Sequence, residues 1–555
     1  MLSQPETGAL TVARMLKRAG VRVIFSLSGN QIMPLYDACF EEELRIVHVR
    51  HEGAAVYMAD AYAQITGELG VALLTAGPGF ANGVGALMTA RAAESPVLLL
   101  SGDSPRAQDG SGAFQELDQC AVARPLVKQS HRAAGPDGLG QEVAGMIATA
   151  RGGRPGPVHL ALPFDSLTAC ASHGGSAEVP ARAFTPAAQP LAADAAREVA
   201  DLIAGAERPL IVTGPQLSRS RTGDLPERLE SATGAPVICM ESPRGLRDPA
   251  LGALGAVASR ADLVVLLGKA ADFTTAFLAV EPWDVSARFV VIDPEAAMLT
   301  RARARLNGRL SADAQADSPA AAEALIATAR PRDGAGWRKE TGALLAERSL
   351  DAATAQVERI NPIALCGKVQ ARLEAEPDAI LCIDGGEFGQ WAQAFCTARW
   401  RVINGVAGGI GGTLPAAIAA RIACPDAPVY AMMGDGTAGF HLSELETAAR
   451  EAAGITVVIG NDDRWNAEHQ IQRAQYGPDR LIGCGLSVGA RYDAVASAFG
   501  GFGARVEEES ALGGALTEAA AAAAQGRPAC VNVAIAGLAA PVFTARGEDA
   551  AAPVH

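Results

Sequence analysis

The stretch from Val429 to Gln472, VYAMMGDGTAGFHLSELETAAREAAGITVVIGNDDRWNAEHQIQ, constrains the fold more than any other. An apolar run, Val429 to Met433, stops at Gly434-Asp435-Gly436. A helical pattern follows from Leu442 to Ala452, and a second apolar run, Ile455 to Ile459, ends at Asn461-Asp462. Strand, Gly-rich turn, helix and strand make a βαβ unit, which belongs to a parallel sheet. Both turns of such a unit emerge at the carboxyl edge of the strands, where open α/β sheets bind ligands. Asp435 and Asp462, 27 residues apart, are therefore expected to face one another. Two carboxylates and a backbone carbonyl from the turn near Arg464 suit Mg²⁺, which takes oxygen ligands and completes its octahedron with water and phosphate. Gly434, Gly436 and Thr437 are the candidate diphosphate-binding residues. The N–H groups of Gly436 and Thr437, with the Thr437 hydroxyl, lie at the approach to a helix, where anions bind. Gly-Asp-Gly alone is common turn chemistry. The βαβ context and the second acidic turn set this one apart.

The rest of the chain repeats the same rhythm. Its 555 residues suggest three or four domains. In the first third, helical patterns at Ala9 to Ala19 and His51 to Ile65 alternate with apolar runs at Val21 to Leu27, Ile46 to Val49, Val71 to Thr75, Val97 to Leu100 and Val158 to Leu162. Ala171 to Pro190 reads as a linker. Leu210 to Thr213, Val237 to Met240, Leu263 to Leu267 and Phe289 to Ile292 mark a middle α/β domain, and Ala329 to Trp337 a second boundary. Ile380 to Ile383, Val402 to Asn404 and Cys530 to Ile535 join the opening stretch in the last third, and the tail from Ala540 reads as loose. The expected architecture is α/β: three doubly wound parallel-sheet domains over residues 1–175, 191–330 and 358–540.

Composition excludes other classes. A net charge of −14 argues against nonspecific nucleic-acid binding, which needs basic surface. The ten cysteines form no C-x-x-C pair, so neither a zinc ribbon nor a redox dithiol is indicated; Cys239 and Cys382 sit in apolar runs as small core residues. No apolar run reaches membrane-spanning length, and Met1–Glu6 lacks the pattern of a signal peptide. A cytoplasmic location is the expectation.

Gly-Asp-Gly followed at this spacing by an Asn-Asn-like pair resembles the signature of thiamine-diphosphate (ThDP) enzymes, and the flanks resemble the acetolactate synthase and benzaldehyde lyase branch. The family has Asn where this chain has Asp462, which keeps an oxygen ligand but adds a negative charge. The resemblance spans nearly the whole chain and is strongest over residues 20–130 and 380–475. It implies ThDP and Mg²⁺ as cofactors, a first domain holding the pyrimidine and a third holding the diphosphate. It also implies a cofactor shared across two subunits of a homodimer or homotetramer.

Residue by residue, VRHEGAAVYMADAYAQITG resembles the family's glutamate motif. The resemblance makes Glu52 the group that hydrogen-bonds the pyrimidine and promotes loss of the thiazolium C2 proton; alone, it would read as an acid suited to a helix start. Thr75-Ala76-Gly77-Pro78-Gly79 resembles a turn near the cofactor. Gln115, in SGAFQELDQ, is similar to a residue that donates to a substrate oxygen, and a plain helix-start loop is the alternative. In SLSGNQIMPLYDA, Ser28, Asn30 and Gln31 stand where benzaldehyde lyases place histidines. In Asp384-Gly385-Gly386-Glu387, Gly386 and Glu387 are candidate diphosphate contacts, although Glu387 is unexpected beside an anion and is free to point elsewhere. Ile410, in GGIGGTLPAAIAA, stands where the family wedges a large apolar residue beneath the cofactor; a core Ile is the plainer reading. Glu468 lies six residues past Asp462, where some ThDP decarboxylases carry a functional Glu, and His469 is beside it. Glu444 and Glu446 read as structural.

The leading expectation is an acetolactate synthase-like decarboxylase and carboligase acting on a 2-oxo acid, a pattern that Gln390-Trp391-Ala392 resembles. The alternative is a lyase of 2-hydroxy ketones or 2-hydroxyacyl-CoA, which the stretches near Gly477 and Arg527 favour. A noncatalytic nucleotide-binding protein is the reading from a different class. The chain has no GxxxxGK[ST], and its Gly-Gly-Ile-Gly-Gly run does not fit the spaced dinucleotide fingerprint.

Overall fold

The apolar runs are strands, and every pairing between them is parallel. The computed structural model describes residues 6–173, 175–348 and 357–541. The first sheet comprises β1 (Val23–Ser26), β2 (Arg45–His48), β3 (Gly70–Leu74), β4 (Val97–Asp103), β5 (Ser130–Arg132) and β6 (Val158–Pro163), in the order β2-β1-β3-β4-β6-β5. The second comprises β7 (Pro209–Thr213), β8 (Val237–Cys239), β9 (Leu263–Leu267), β10 (Arg288–Asp293) and β11 (Leu310–Gln315), in the order β11-β10-β9-β7-β8. The third comprises β12 (Ile380–Ile383), β13 (Trp400–Ile403), β14 (Val429–Gly434), β15 (Thr456–Asn461), β16 (Phe502–Val506) and β17 (Ala529–Ala534), in the order β13-β12-β14-β15-β17-β16. The central strands β3, β9 and β15 are buried along their whole length. Burial on both faces explains why they read as unbroken apolar runs rather than alternating ones.

The chain divides into two compact units. The first takes the chain up to Ala187 plus Leu414–Pro425 and His441–Ala453; the second takes Ala188–Thr413, Asp426–Phe440 and the chain from Gly454 on. The first sheet lies in the first unit, and the second and third sheets lie in the second. His441–Ala453, the crossover between β14 and β15, is thus part of the first unit.

Several boundaries differ from expectation. The expected linker at 171–190 carries two short helical turns, Ser176–Glu178 and Ala181–Phe184, and buries Val179 and Phe184 in the first core. Arg18 holds it there, donating to the carbonyls of Ser176 and Val179 and lying 5.6 Å from the centre of the Phe184 ring. Trp337, at the expected second boundary, is a core residue whose indole N–H donates to the Pro209 carbonyl at 2.9 Å. The helix read at Leu442 to Ala452 is shorter, Glu444–Arg450, and a separate helical turn, Asp435–Ala438, precedes it. Ala540 is buried, its N–H bound to Glu387. The remainder of the tail and the first five residues lie outside the described residues. Among the described residues no helix is long and apolar enough to cross a membrane.

Candidate active site

In the third sheet the strand order reverses between β12 and β14. Such a switch point opens a crevice at the carboxyl ends of the strands. Gly386, Gly434, Asp435, Gly436, Thr437, Asp462, Arg464 and Glu468 line one small cavity there. The chain therefore gathers every diphosphate and metal candidate except Ile410 in one place. Ile410 lies in the adjoining turn, with its side chain packed on Gly385. Gly436 is required by close approach: a Cβ there would come within 2.7 Å of the Trp465 ring. Thr437 Oγ donates to the Gly434 carbonyl at 3.1 Å, which closes the turn.

The cavity is short of positive charge. Burial pushes the Asp435 carboxyl up to about 6 and the Asp462 carboxyl up to about 7, and the charge of Asp435 adds to the rise at Asp462. The backbone N–H of Arg464 pulls on both carboxyls, so they converge on one point. Two converging buried carboxylates suit a divalent cation, which would relieve their repulsion. Among the described residues no group of three or more His, Cys, Asp or Glu side chains gathers for a metal.

Asp384 escaped sequence reasoning as a site residue. It follows β12, is fully buried, and accepts from the N–H groups of Gly385 (2.7 Å), Gly411 (3.0 Å) and Thr413 (3.4 Å). One carboxyl thus ties the Asp384–Glu387 turn to the loop that carries Ile410. Its signal was an Asp ending an apolar run before two glycines. Glu387 lines the same cavity, with Oε1 accepting from the Ala540 N–H, and burial raises its carboxyl above the ordinary range.

Burial pushes Asp384 up to about 6, above the ordinary value of about 3.9. Between about pH 4 and 6 the folded chain holds a proton that the unfolded chain has released, so this group's contribution to stability falls as pH rises. Asp384→Asn is expected to remove about 2 to 3 kcal/mol of that decline. Thermal melts across this pH range would show it, and parallel profiles for parent and variant would contradict it.

In the first sheet the order reverses between β1 and β3, and there the loops after the two strands are joined by Thr75, which donates to Gln31 Oε1 at 2.8 Å. Glu52 opens the Glu52–Thr66 helix beyond β2. It is half-buried, and Gly79 lies close to its carboxylate. Asn82 Nδ2 donates to Glu52 Oε2 at 3.1 Å. Gln115 sits over Gly77, where a Cβ would come within 2.9 Å of it. The Thr75–Gly79 turn therefore has Glu52 on one side and Gln115 on the other. Glu116 holds the Gln115 loop by accepting from the N–H groups of Gly110, Gly112 and Ala113.

Three family models for thiamine pyrophosphate enzymes match the chain: the N-terminal TPP-binding domain over residues 6–122, the central domain over 196–318 and the C-terminal TPP-binding domain over 384–533. The acetolactate synthase large subunit of Mycobacterium tuberculosis is 30% identical over 544 residues, covering 94% of each chain. The chain belongs to the thiamine pyrophosphate enzymes. Human 2-hydroxyacyl-CoA lyase 2 is 29% identical over 586 residues, covering 95% of this chain and 90% of the relative. The fold matches that of a thiamine diphosphate-dependent 4-hydroxybenzoylformate decarboxylase from Rhodococcus jostii RHA1, with a TM-score of 0.80 and 22% identity over 97% of this chain and all of the other.

In this thiamine pyrophosphate enzyme one further residue bears on Glu52. Glu444, on the crossover that joins the first unit, is fully buried. Its Oε1 accepts from the N–H groups of Arg50 and His51, each at 3.0 Å, and its Oε2 from the Thr447 hydroxyl at 2.6 Å. Those two N–H groups stand immediately before Glu52. The sequence offered no signal for this pairing, because the partners lie 394 and 393 residues apart. Glu444→Ala is expected to let the turn drift and to slow exchange of the cofactor's C2 proton by roughly 10- to 100-fold, since small misplacements are costly. Glu444→Gln, which keeps an acceptor oxygen, should restore most of the rate. Equal exchange in Glu444→Ala and the parent would rule the positioning role out.

Proposed function

We propose that this thiamine pyrophosphate enzyme is an acetolactate synthase-like decarboxylase and carboligase that acts on a small 2-oxo acid with Mg²⁺ as its metal. The observation that carries the reading is the cleft beside the Gly385-Gly386 turn, walled by the cationic Arg244 and by amide side chains. Its lining offers a cation and amide groups to a small polar acid. The full-length likeness to acetolactate synthases supports it. Bound thiamine diphosphate supplies an electron sink for carbanion chemistry next to a carbonyl.

The chain's own residues then have assignable tasks. Asp435 and Asp462, with the carbonyl of the Arg464 turn, hold the metal, and Gly386, Gly434, Gly436 and Thr437 take the diphosphate. Ile410 supports the ring system from below. Glu52 holds a proton at the pyrimidine, Gln115 donates to a substrate oxygen, and Glu468 moves a proton on the substrate side. The same reading assigns residues 1–175 to pyrimidine binding, 191–330 to a middle domain and 358–540 to diphosphate binding, with a homodimer or homotetramer as the working form.

The test is turnover of pyruvate by the purified protein with ThDP and Mg²⁺, following CO₂ and acetolactate together. Both products are expected. Bound ThDP without either product would move the donor to benzoin-type ketones or hydroxyacyl-CoA compounds. Failure to bind ThDP would reject the enzyme reading itself.

A further inference from the structure

The cleft beside Gly385 and Gly386 is walled by Pro243, Arg244, Phe273, Gln390 and Asn404, among others. Its polar groups are unusually short of partners. Among the described residues, the Arg244 guanidinium has no hydrogen-bond or ion-pair partner, and only its backbone N–H is engaged, with Ser242. The neighbouring arginines differ: Arg401 pairs with Glu241, and Arg348 donates to the carbonyls of Leu345 and Ala394. Glu387, whose carboxyl feels the Arg244 charge, is already committed to the Ala540 N–H and the Gln390 amide. Asn404 Oδ1 is buried without a partner. Gln393, only 5% exposed, has one long contact, 3.5 Å to the Ser242 hydroxyl. Buried polar groups in native proteins are nearly always satisfied, and leaving them otherwise costs stability. Of these groups, the half-buried Arg244 guanidinium and the amide N–H groups are donors that a bound anion would complete, whereas Asn404 Oδ1, an acceptor, is not completed by a carboxylate.

We infer that Arg244 and the amides beside it form the subsite for the carboxylate of the 2-oxo acid substrate, an inference that rests on the function proposed above. A guanidinium presents two parallel N–H groups that match a carboxylate, and an amide can supply a third contact. Pro243 and Phe273 give the short carbon chain an apolar seat. The subsite adjoins Gly386, so an acid anchored there presents its carbonyl near the cofactor turn. Arg244 thereby sets specificity: it selects 2-oxo acids over neutral aldehydes and ketones.

The test is calorimetric titration of the protein, loaded with ThDP and Mg²⁺, with oxamate, an unreactive isostere of pyruvate, beside oxamide as the neutral control. Oxamate is expected to bind the parent, and Arg244→Gln to weaken it by roughly 10- to 100-fold. Arg244→Lys should recover part of the loss, and oxamide should not distinguish the proteins. An unchanged melting temperature and unchanged ThDP affinity in Arg244→Gln would show that the fold is intact. The inference is overturned if oxamate does not bind the parent or binds Arg244→Gln equally well. If oxamate binding depends on Arg244 but no 2-oxo acid is turned over, the functional reading fails and the subsite stands. If pyruvate is turned over with the same KM by both proteins, the subsite fails and the functional reading stands.

Discussion

Glu52→Gln is expected to slow exchange of the thiamine C2 proton by roughly 100- to 10,000-fold, the range lost with a positioned acid–base group, while ThDP still binds. The substitution keeps the shape of the side chain and its contact with Asn82, because a Gln oxygen accepts as a carboxylate does. What it removes is the ability to hold and release a proton. The residues proposed to hold the diphosphate and the metal lie in the other unit. Binding and exchange should therefore separate cleanly. Exchange can be followed by NMR after quenching in deuterated buffer. A variant that exchanges at the parent's rate would remove Glu52 from the catalytic role.

Asp435→Asn should be as damaging, at a different step. Losing groups that merely orient metal ligands costs about 10- to 100-fold in affinity, so losing a direct carboxylate ligand is expected to weaken Mg²⁺-dependent ThDP binding by roughly 100-fold or more. The cause is charge. Burial raises the proton affinity of both carboxyls and the charge of Asp435 raises that of Asp462 further, so a cation is what they jointly favour. With Asp435 neutral, Asp462 alone faces the site and the attraction for Mg²⁺ falls. Asp462→Asn is the informative contrast: it makes the same change of charge, but at the position where the resembled family carries Asn, so its loss should be much smaller. Titration of each variant with ThDP at fixed Mg²⁺ measures both. Parent-like affinity in Asp435→Asn would place the metal elsewhere.

How far the sequence was legible depended on the range of each interaction. The βαβ unit could be read from local pattern alone, because β14 and β15 are buried on both faces and end in turns whose residues are close in sequence. Asp435 and Asp462 came together as their spacing predicts. The segment at 171–190 could not be read, because what orders it is Arg18, more than 150 residues earlier. Glu444 looked like an ordinary helix-face acid for the same reason, its partners being the backbone N–H groups of Arg50 and His51. Asp384 sat in a turn that was recognised, but its role depends on the N–H groups of Gly411 and Thr413, which only the folded loop brings near. Arg244 carried no pattern: that its guanidinium has no partner among the described residues is visible only in the folded structure.

The Glu444 latch also bears on how the protein is made. The N–H groups of Arg50 and His51 reach their acceptor only when the chain as far as the crossover has been synthesised. A nascent first unit must wait for hundreds of residues before these donors meet their acceptor, and the closing contacts are among the most distant in the sequence. Contacts of such separation form late and slowly. A fragment ending at Ala187 would lack Leu414–Pro425 and His441–Ala453 altogether, so the first unit cannot be cut out of this chain by cleaving at its apparent linker.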